Sequence, residues 1–422
     1  MWKNNHRPRW RSHVALTLGA LVLLVGCAGG KSSTTTAHTT PTAVGVHGTV
    51  INWQNMPKAT LSTYVDRYIS TMSLDAKIGQ LLMLQFTTVG YQGDSITMMR
   101  RFQPGALILY KYEMPNAAST IDMTSRAQAD AKIPLIISAD QEGGAIDNLT
   151  HIYGWRPTAT EIGAKNDPQF AYDQGVKNAK DLLSLGFNAD LAPDVDVQLV
   201  NGPDQSSRTF GTTPDQVTKM AGAWLNGLQQ NGVMGTLKHF PGLGAATIDA
   251  HLGLPIINRT RDQLEQVEFA PYRNLINSAN PPEMIMPTDV LMPALDPKLP
   301  AEVSEPIING VLRKELHYDG VVVTDALYMQ GVGFDQYQAG VLALKAGCDL
   351  LLGPSDSTSA QYMVDAIKNA LTSGDLPMSR INESVHRLLM LKARHGMLPF
   401  TPDPLPGQPV AGLTATLPGK SN

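Results

Sequence analysis

Short apolar runs alternate with longer amphipathic stretches through the interior of this chain, and the alternation predicts strands and helices in turn. The strand-like runs are Leu81 to Phe86, Ala106 to Tyr110, Pro134 to Ala139, Asn188 to Ala192, Val233 to Leu237, Met284 to Met286, Gly320 to Thr324 and Asp349 to Leu352. Between them, stretches such as Pro168 to Leu185, Asp215 to Gln230, Arg261 to Ala279 and Gln336 to Ala346 read as helices. Strands that alternate with helices pair in parallel, and this number of units fits a single closed (β/α)8 barrel of TIM type. An open doubly wound sheet is the alternative, but the first run is not followed by the Gly-x-Gly-x-x-Gly turn of that fold.

The pattern stops at both ends. Lys3, Arg7, Arg9 and Arg11 precede the apolar run Val14 to Val25, which is short for a membrane span and ends in Leu24-Val25-Gly26-Cys27. Residues 1–26 resemble a bacterial lipoprotein signal, with Cys27 lipidated as the new N-terminus; a plain secretory peptide is the alternative. Ala28 to Thr42 is rich in Gly, Ser and Thr, so residues 27–55 are expected to be a flexible tether. Five prolines mark 401–422 as a surface-laid or disordered tail. The barrel is then expected over residues 56–400.

Of 422 residues, 43% are hydrophobic and 17% charged, the proportions of a globular protein with a sizeable core. Removing the four basic residues of the leader takes the formal charge from −4 to −8, which argues against a nucleic-acid partner. With Cys27 lipidated, Cys348 is left without an intramolecular disulfide partner, so stability rests on packing.

Titratable residues follow the strand-like runs: Asp140 the third, Asp194 and Asp196 the fourth, Lys238 and His239 the fifth, Asp289 the sixth and Asp325 the seventh. A barrel gathers these ends on one face, where catalytic groups normally collect. Any single one could instead cap a helix. Asp325 follows the β-branched run Val321-Val322-Val323-Thr324, and as an anion near a sugar ring it could attack the anomeric carbon or stabilise the charge developing there. The densest segment runs from Lys238-His239-Phe240-Pro241-Gly242 to Asp249-Ala250-His251. His251 can act as both acid and base near neutrality, and Asp249, one residue away, can reach it only in a turn. Gly242 and Gly244 read as hinges for that loop. If the fifth strand continues, Lys238 and His239 point to opposite faces, one toward substrate and one toward the barrel wall.

From about Ser73 to about Leu398 the chain resembles glycoside hydrolase family three, in particular its β-N-acetylglucosaminidase branch. The resemblance is carried by Met72-Ser73-Leu74-Asp75-Ala76-Lys77-Ile78-Gly79-Gln80, Asp140-Gln141-Glu142-Gly143-Gly144, Leu191-Ala192-Pro193-Asp194-Val195-Asp196-Val197, Ser207-Arg208-Thr209-Phe210-Gly211, the Lys238 to His251 block, Pro293-Ala294-Leu295-Asp296-Pro297, and Thr324-Asp325-Ala326-Leu327 before Met329. It implies that Asp325 is a nucleophile forming a covalent glycosyl-enzyme, and that His251 is the acid and then base, oriented by Asp249. It also implies that Asp140, Arg208, Lys238 and His239 hold the terminal sugar, with Asp289 expected beside them. No metal or organic cofactor is implied. The expected partners are a carbohydrate and, through the lipid anchor, the membrane, with the chain acting as a monomer.

The sequence departs from the family pattern at several places. Ala145 and Asn148 stand where a bulky basic residue and an arginine are usual, Leu243 and Asp289 where histidines are, and Ala326 where an aspartate often follows the nucleophile. Asp194 and Asp289 make the rim more acidic than the family's, which would raise neighbouring carboxyl groups or select another sugar. A β-glucosidase or glycoside phosphorylase of the same family, or a carbohydrate-binding lipoprotein without turnover, are the other expectations.

Overall fold

Eight parallel strands appear where the apolar runs stand. The structure, a computed structural model, describes residues 56–398 apart from 204 and 205; the expected signal, tether and tail lie outside the described residues. The strands are β1 (Leu82–Gln85), β2 (Ala106–Ile108), β3 (Ile136–Ala139), β4 (Ala189–Asp190), β5 (Met234–Phe240), β6 (Met284–Pro287), β7 (Val321–Val322) and β8 (Leu351–Leu352). Each strand from β1 to β6 pairs in parallel with the next, and β8 pairs back onto β1 through Leu82 opposite Leu351. The remaining seam closes at Val323 opposite Leu350, where the Thr324 N–H donates to the Leu350 carbonyl at 2.9 Å. All eight strands are buried on both faces, as a sheet wrapped by helices requires.

The helices begin where their caps dictate. Thr158 and Thr260 head capping boxes with Glu161 and Gln263, and Asp335 accepts from the Tyr337 and Gln338 N–H groups to start the helix Gln336–Ala346. Since that helix has its own cap ten residues on, Asp325 is not a helix cap. The expected helix over 261–279 is two, Arg261–Gln266 and Phe269–Ile276. Pro271 cannot donate to the carbonyl of Val267, and the break falls there. Among the described residues no helix is long and apolar enough to cross a membrane.

Two further departures shape the functional end. The third strand is followed by an antiparallel hairpin, Gln141–Gly143 with Ile146–Asp147, made possible by positive φ at Gly143 and Gly144. β5 runs on through Lys238 and His239, and its pairing with β6 shifts register between Lys238 and Phe240. This irregularity breaks the alternation of faces, so both side chains line one hollow instead of pointing apart.

Candidate active site

At the C-terminal end of the strands lies a hollow of about 320 Å³. Asp140, Arg208, Lys238, His239, His251 and Asp325 all line it. Lys238, His239 and Glu142 are buried and form its floor, whereas His251 and Tyr328 are exposed and mark its mouth. The volume is at the low end of small-molecule sites, roughly 300–1,000 Å³.

Asp325 projects from the end of β7 and is held at both oxygens. The Thr288 hydroxyl donates to Oδ2 at 2.6 Å and the Ala326 N–H to Oδ1 at 2.8 Å. A carboxylate held by two donors has one orientation, which is what an attack on a fixed carbon requires. On the loop after β5, His251 Nδ1 lies 2.8 Å from Asp249 Oδ1, which also accepts the His251 backbone N–H. Leu252 and Gly253 donate back to the Asp249 carbonyl, closing the turn that brings the two side chains together. Burial works to raise the Asp249 carboxyl, but the hydrogen bonds from His251 outweigh it and hold it below its ordinary value. The anionic form therefore persists beside the imidazole.

Gly242, at φ 138°, supplies the bend leaving the strand. Gly244 serves a different purpose from a hinge. A Cβ there would stand 1.8 Å from the Val197 carbonyl oxygen, so glycine is required by close backbone packing. Leu243, in place of the family's histidine, is buried, and its N–H donates to Asp196 Oδ1.

A charge network forms the floor. Glu142, missed as a site residue although it stands in the quoted Asp-Gln-Glu-Gly-Gly motif, accepts two parallel 2.8 Å bonds from Arg208 and lies 2.7 Å from Lys238 Nζ. Lys238 Nζ also donates to Asp140 Oδ1 at 2.7 Å. Burial alone would raise the Glu142 carboxyl, but Arg208 and Lys238 overcome it and hold it well below the usual range. Burial would lower the Lys238 ammonium, and Asp140 and Glu142 more than compensate. Both cations thus stay charged, and in this buried floor they are fixed hydrogen-bond donors.

His239 occupies one end of that network. Arg208 lies 3.1 Å from Nε2 and can only donate, so Nε2 accepts and Nδ1–H donates to Asp196 Oδ2 at 2.8 Å. Burial and then the Arg208 charge lower its pKa, keeping the ring neutral near neutrality. Asp194, Asp196 and His239 bring potential metal-ligand atoms within 4.8 Å of one another. The donor set already serves a cation, however, because Arg208 lies 3.1 Å from His239 and 3.9 Å from Asp194. Asn148, where the family has an arginine, accepts from the Lys111 N–H and donates to the Asp140 carbonyl, tying two walls of the hollow together.

Asp289 does not line the hollow. It is fully buried beside Glu302, also fully buried, and no well-aligned donor meets the oxygens of either. Ionised carboxylates only accept, so the pair can hydrogen-bond only if one carries a proton. Burial, reinforced by the Asp325 charge, pushes the Asp289 carboxyl up to about 7, and Glu302 rises well above its ordinary value by burial and by Asp289.

Residues 73–391 match the glycosyl hydrolase family 3 N terminal domain. A "Beta-hexosaminidase A" from Pseudoalteromonas piscicida is 32% identical over 70% of this chain, which spans about half (54%) of that relative. A "Beta-hexosaminidase" from Idiomarina loihiensis is also 32% identical, over 67% of this chain and 84% of its own length. Among solved structures, the family 3 β-N-acetylglucosaminidase of a Paenibacillus species superposes with a TM-score of 0.75 at 33% identity, covering 78% of this chain and 63% of that one.

Proposed function

The chain belongs to glycosyl hydrolase family 3, and from that premise we propose that it is a retaining exo-β-N-acetylglucosaminidase. Its substrates would be peptidoglycan fragments or chitin-like oligosaccharides, cleaved at a terminal N-acetylglucosamine. One observation carries the reading: the Asp325 carboxylate and the Asp249-paired His251 imidazole line the same hollow. An Asp325 oxygen attacks the anomeric carbon while His251 Nε2–H protonates the departing glycosidic oxygen, leaving a glycosyl ester on Asp325. Water, deprotonated by His251, then attacks the same carbon and releases the sugar with net retention. Asp249 fixes the ring and favours the imidazolium that forms when His251 takes a proton. Glu142, by holding Arg208 and Lys238, presents their remaining N–H groups to the sugar hydroxyls and acetyl oxygen.

A glycoside phosphorylase is the second reading, favoured by the imidazole itself: it repels an incoming phosphate less than a carboxylate acid/base would. The deciding experiment is turnover of nitrophenyl N-acetyl-β-glucosaminide and nitrophenyl β-glucoside with and without phosphate, on the wild type and Asp325→Asn. Hydrolysis of the first substrate, lost in the variant while the sugar still binds, supports the proposal. A variant that turns over normally refutes the nucleophile, and a sugar 1-phosphate product establishes the second reading. The signal-like residues 1–26 and Cys27 support an extracytoplasmic, lipid-anchored location. Cys27→Ala should move the protein from the membrane to the soluble fraction.

A further inference from the structure

Two tyrosines, one lining the hollow and one tied to it through a shared glutamine, are about half exposed while their hydroxyls are hydrogen-bonded. Tyr112 is 52% exposed and Tyr328, which lines the hollow, is 48% exposed. Gln85, buried at the end of β1, reaches both: its amide donates to the Tyr112 hydroxyl, and the Tyr328 hydroxyl donates to its Oε1 at 3.1 Å. Tyr112 also lies nearly parallel to Tyr110, another lining residue, with ring centroids 5.9 Å apart and 9° between planes. The segment is rigid as well, because Glu113 Oε2 accepts the Tyr110 N–H and Asn148 Oδ1 the Lys111 N–H. Exposed aromatic rings held this firmly are preorganised for contact with a flat apolar face.

The hollow's layout says which face. Its buried end carries Glu142, Lys238 and His239, and its open end carries His251, so the bond between them points the leaving group outward past the tyrosines. We propose that Tyr112 and Tyr328, set by Gln85, form the platform on which the ring of the leaving sugar stacks. They are then specificity residues for a pyranose leaving group, and Gln85 is a positioning residue. This rests on the glycosidase reading of the hollow.

The test compares two substrates that differ only beyond the glycosidic oxygen, the β-1,4-linked disaccharide of N-acetylglucosamine and methyl N-acetyl-β-glucosaminide. Tyr112→Ala, Tyr328→Ala and Gln85→Leu should each lower kcat/KM on the disaccharide about tenfold more than on the methyl glycoside, the size of one ring contact. The loss should fall mainly on KM, and Tyr112→Phe and Tyr328→Phe, which keep the ring but lose its tie to Gln85, should lose no more than Gln85→Leu. Equal losses on both substrates, or no loss on the disaccharide, overturn the platform. Should the wild type cleave neither glycoside, the glycosidase reading fails separately. Binding of disaccharide and monosaccharide by ligand-observed NMR on the same variants then decides the platform: weaker disaccharide binding alone supports it, and unchanged binding overturns it.

Discussion

His251 is 65% exposed at its side chain and pairs with Asp249; in the proposed mechanism its contribution to rate depends on how much the leaving group needs a proton. His251→Ala is expected to slow the disaccharide far more than a nitrophenyl glycoside, since general acid catalysis contributes about 10²–10⁴-fold only where the leaving oxygen is basic. Equal losses on both would remove the acid role. The buried Asp289–Glu302 pair makes a second residue-level prediction. A carboxyl raised in the folded state binds a proton that the unfolded chain has released, so it lowers stability as pH rises from about 4 through about 7. Glu302→Gln should therefore flatten that decline, and urea midpoints of variant and wild type should diverge as pH rises through this window. Parallel curves would mean that the pair carries no shared proton. Asp289 was expected beside the sugar-holding residues and is instead buried outside the hollow's lining: its strand-end position was legible, but the direction of its side chain was not.

At the scale of elements, most of the helices and strands could be read from periodicity because each buries a face of its own. The helix expected over Pro168 to Leu185 runs Pro168–Ser184, and Gln336–Ala346 is found as expected. The errors have common physical causes. Pro271 split a helix whose apolar pattern ran on, and β5 outran its apolar run because Lys238 and His239 are paired inside the strand by groups distant in sequence. Glu142 escaped notice for the same reason, since its value comes from Arg208, 66 residues away. The loop after β5 depends on a close approach that periodicity cannot reveal. Gly244→Ala should cost about 1–3 kcal/mol in denaturant unfolding, because the obstructing Val197 oxygen belongs to backbone. A variant as stable as the wild type would show that the loop can yield.

For the whole molecule, the opposite end of the barrel is held by a buried anion. Asp349 is fully buried at the seam between β7 and β8 and accepts from Arg313, Arg380 and Arg387 and from the Val322 N–H. Burial would raise its carboxyl, and the three guanidinium groups reverse the effect and hold it at about 2. A depressed carboxyl contributes stability that is complete above the unfolded value of about 3.9 and lost as pH falls toward the folded one. Acid unfolding should therefore steepen between about pH 4 and 2. Asp349→Asn should be less stable at pH 7 and lose less on acidification; the same acid slope in both would assign the loss to other carboxylates.

By itself, the amino-acid order determined the eightfold repeat, the parallel pairing and the chemical types at the strand ends, because each is written in local periodicity and in residues adjacent along the chain. Tertiary structure alone decided which of those groups meet. The Glu142–Arg208–Lys238 floor, the concealment of Asp289 and the Gln85-held tyrosines join residues that only barrel closure brings together. Their energies depend on exclusion of water and on angles between separate elements, neither of which is encoded in any short stretch of chain.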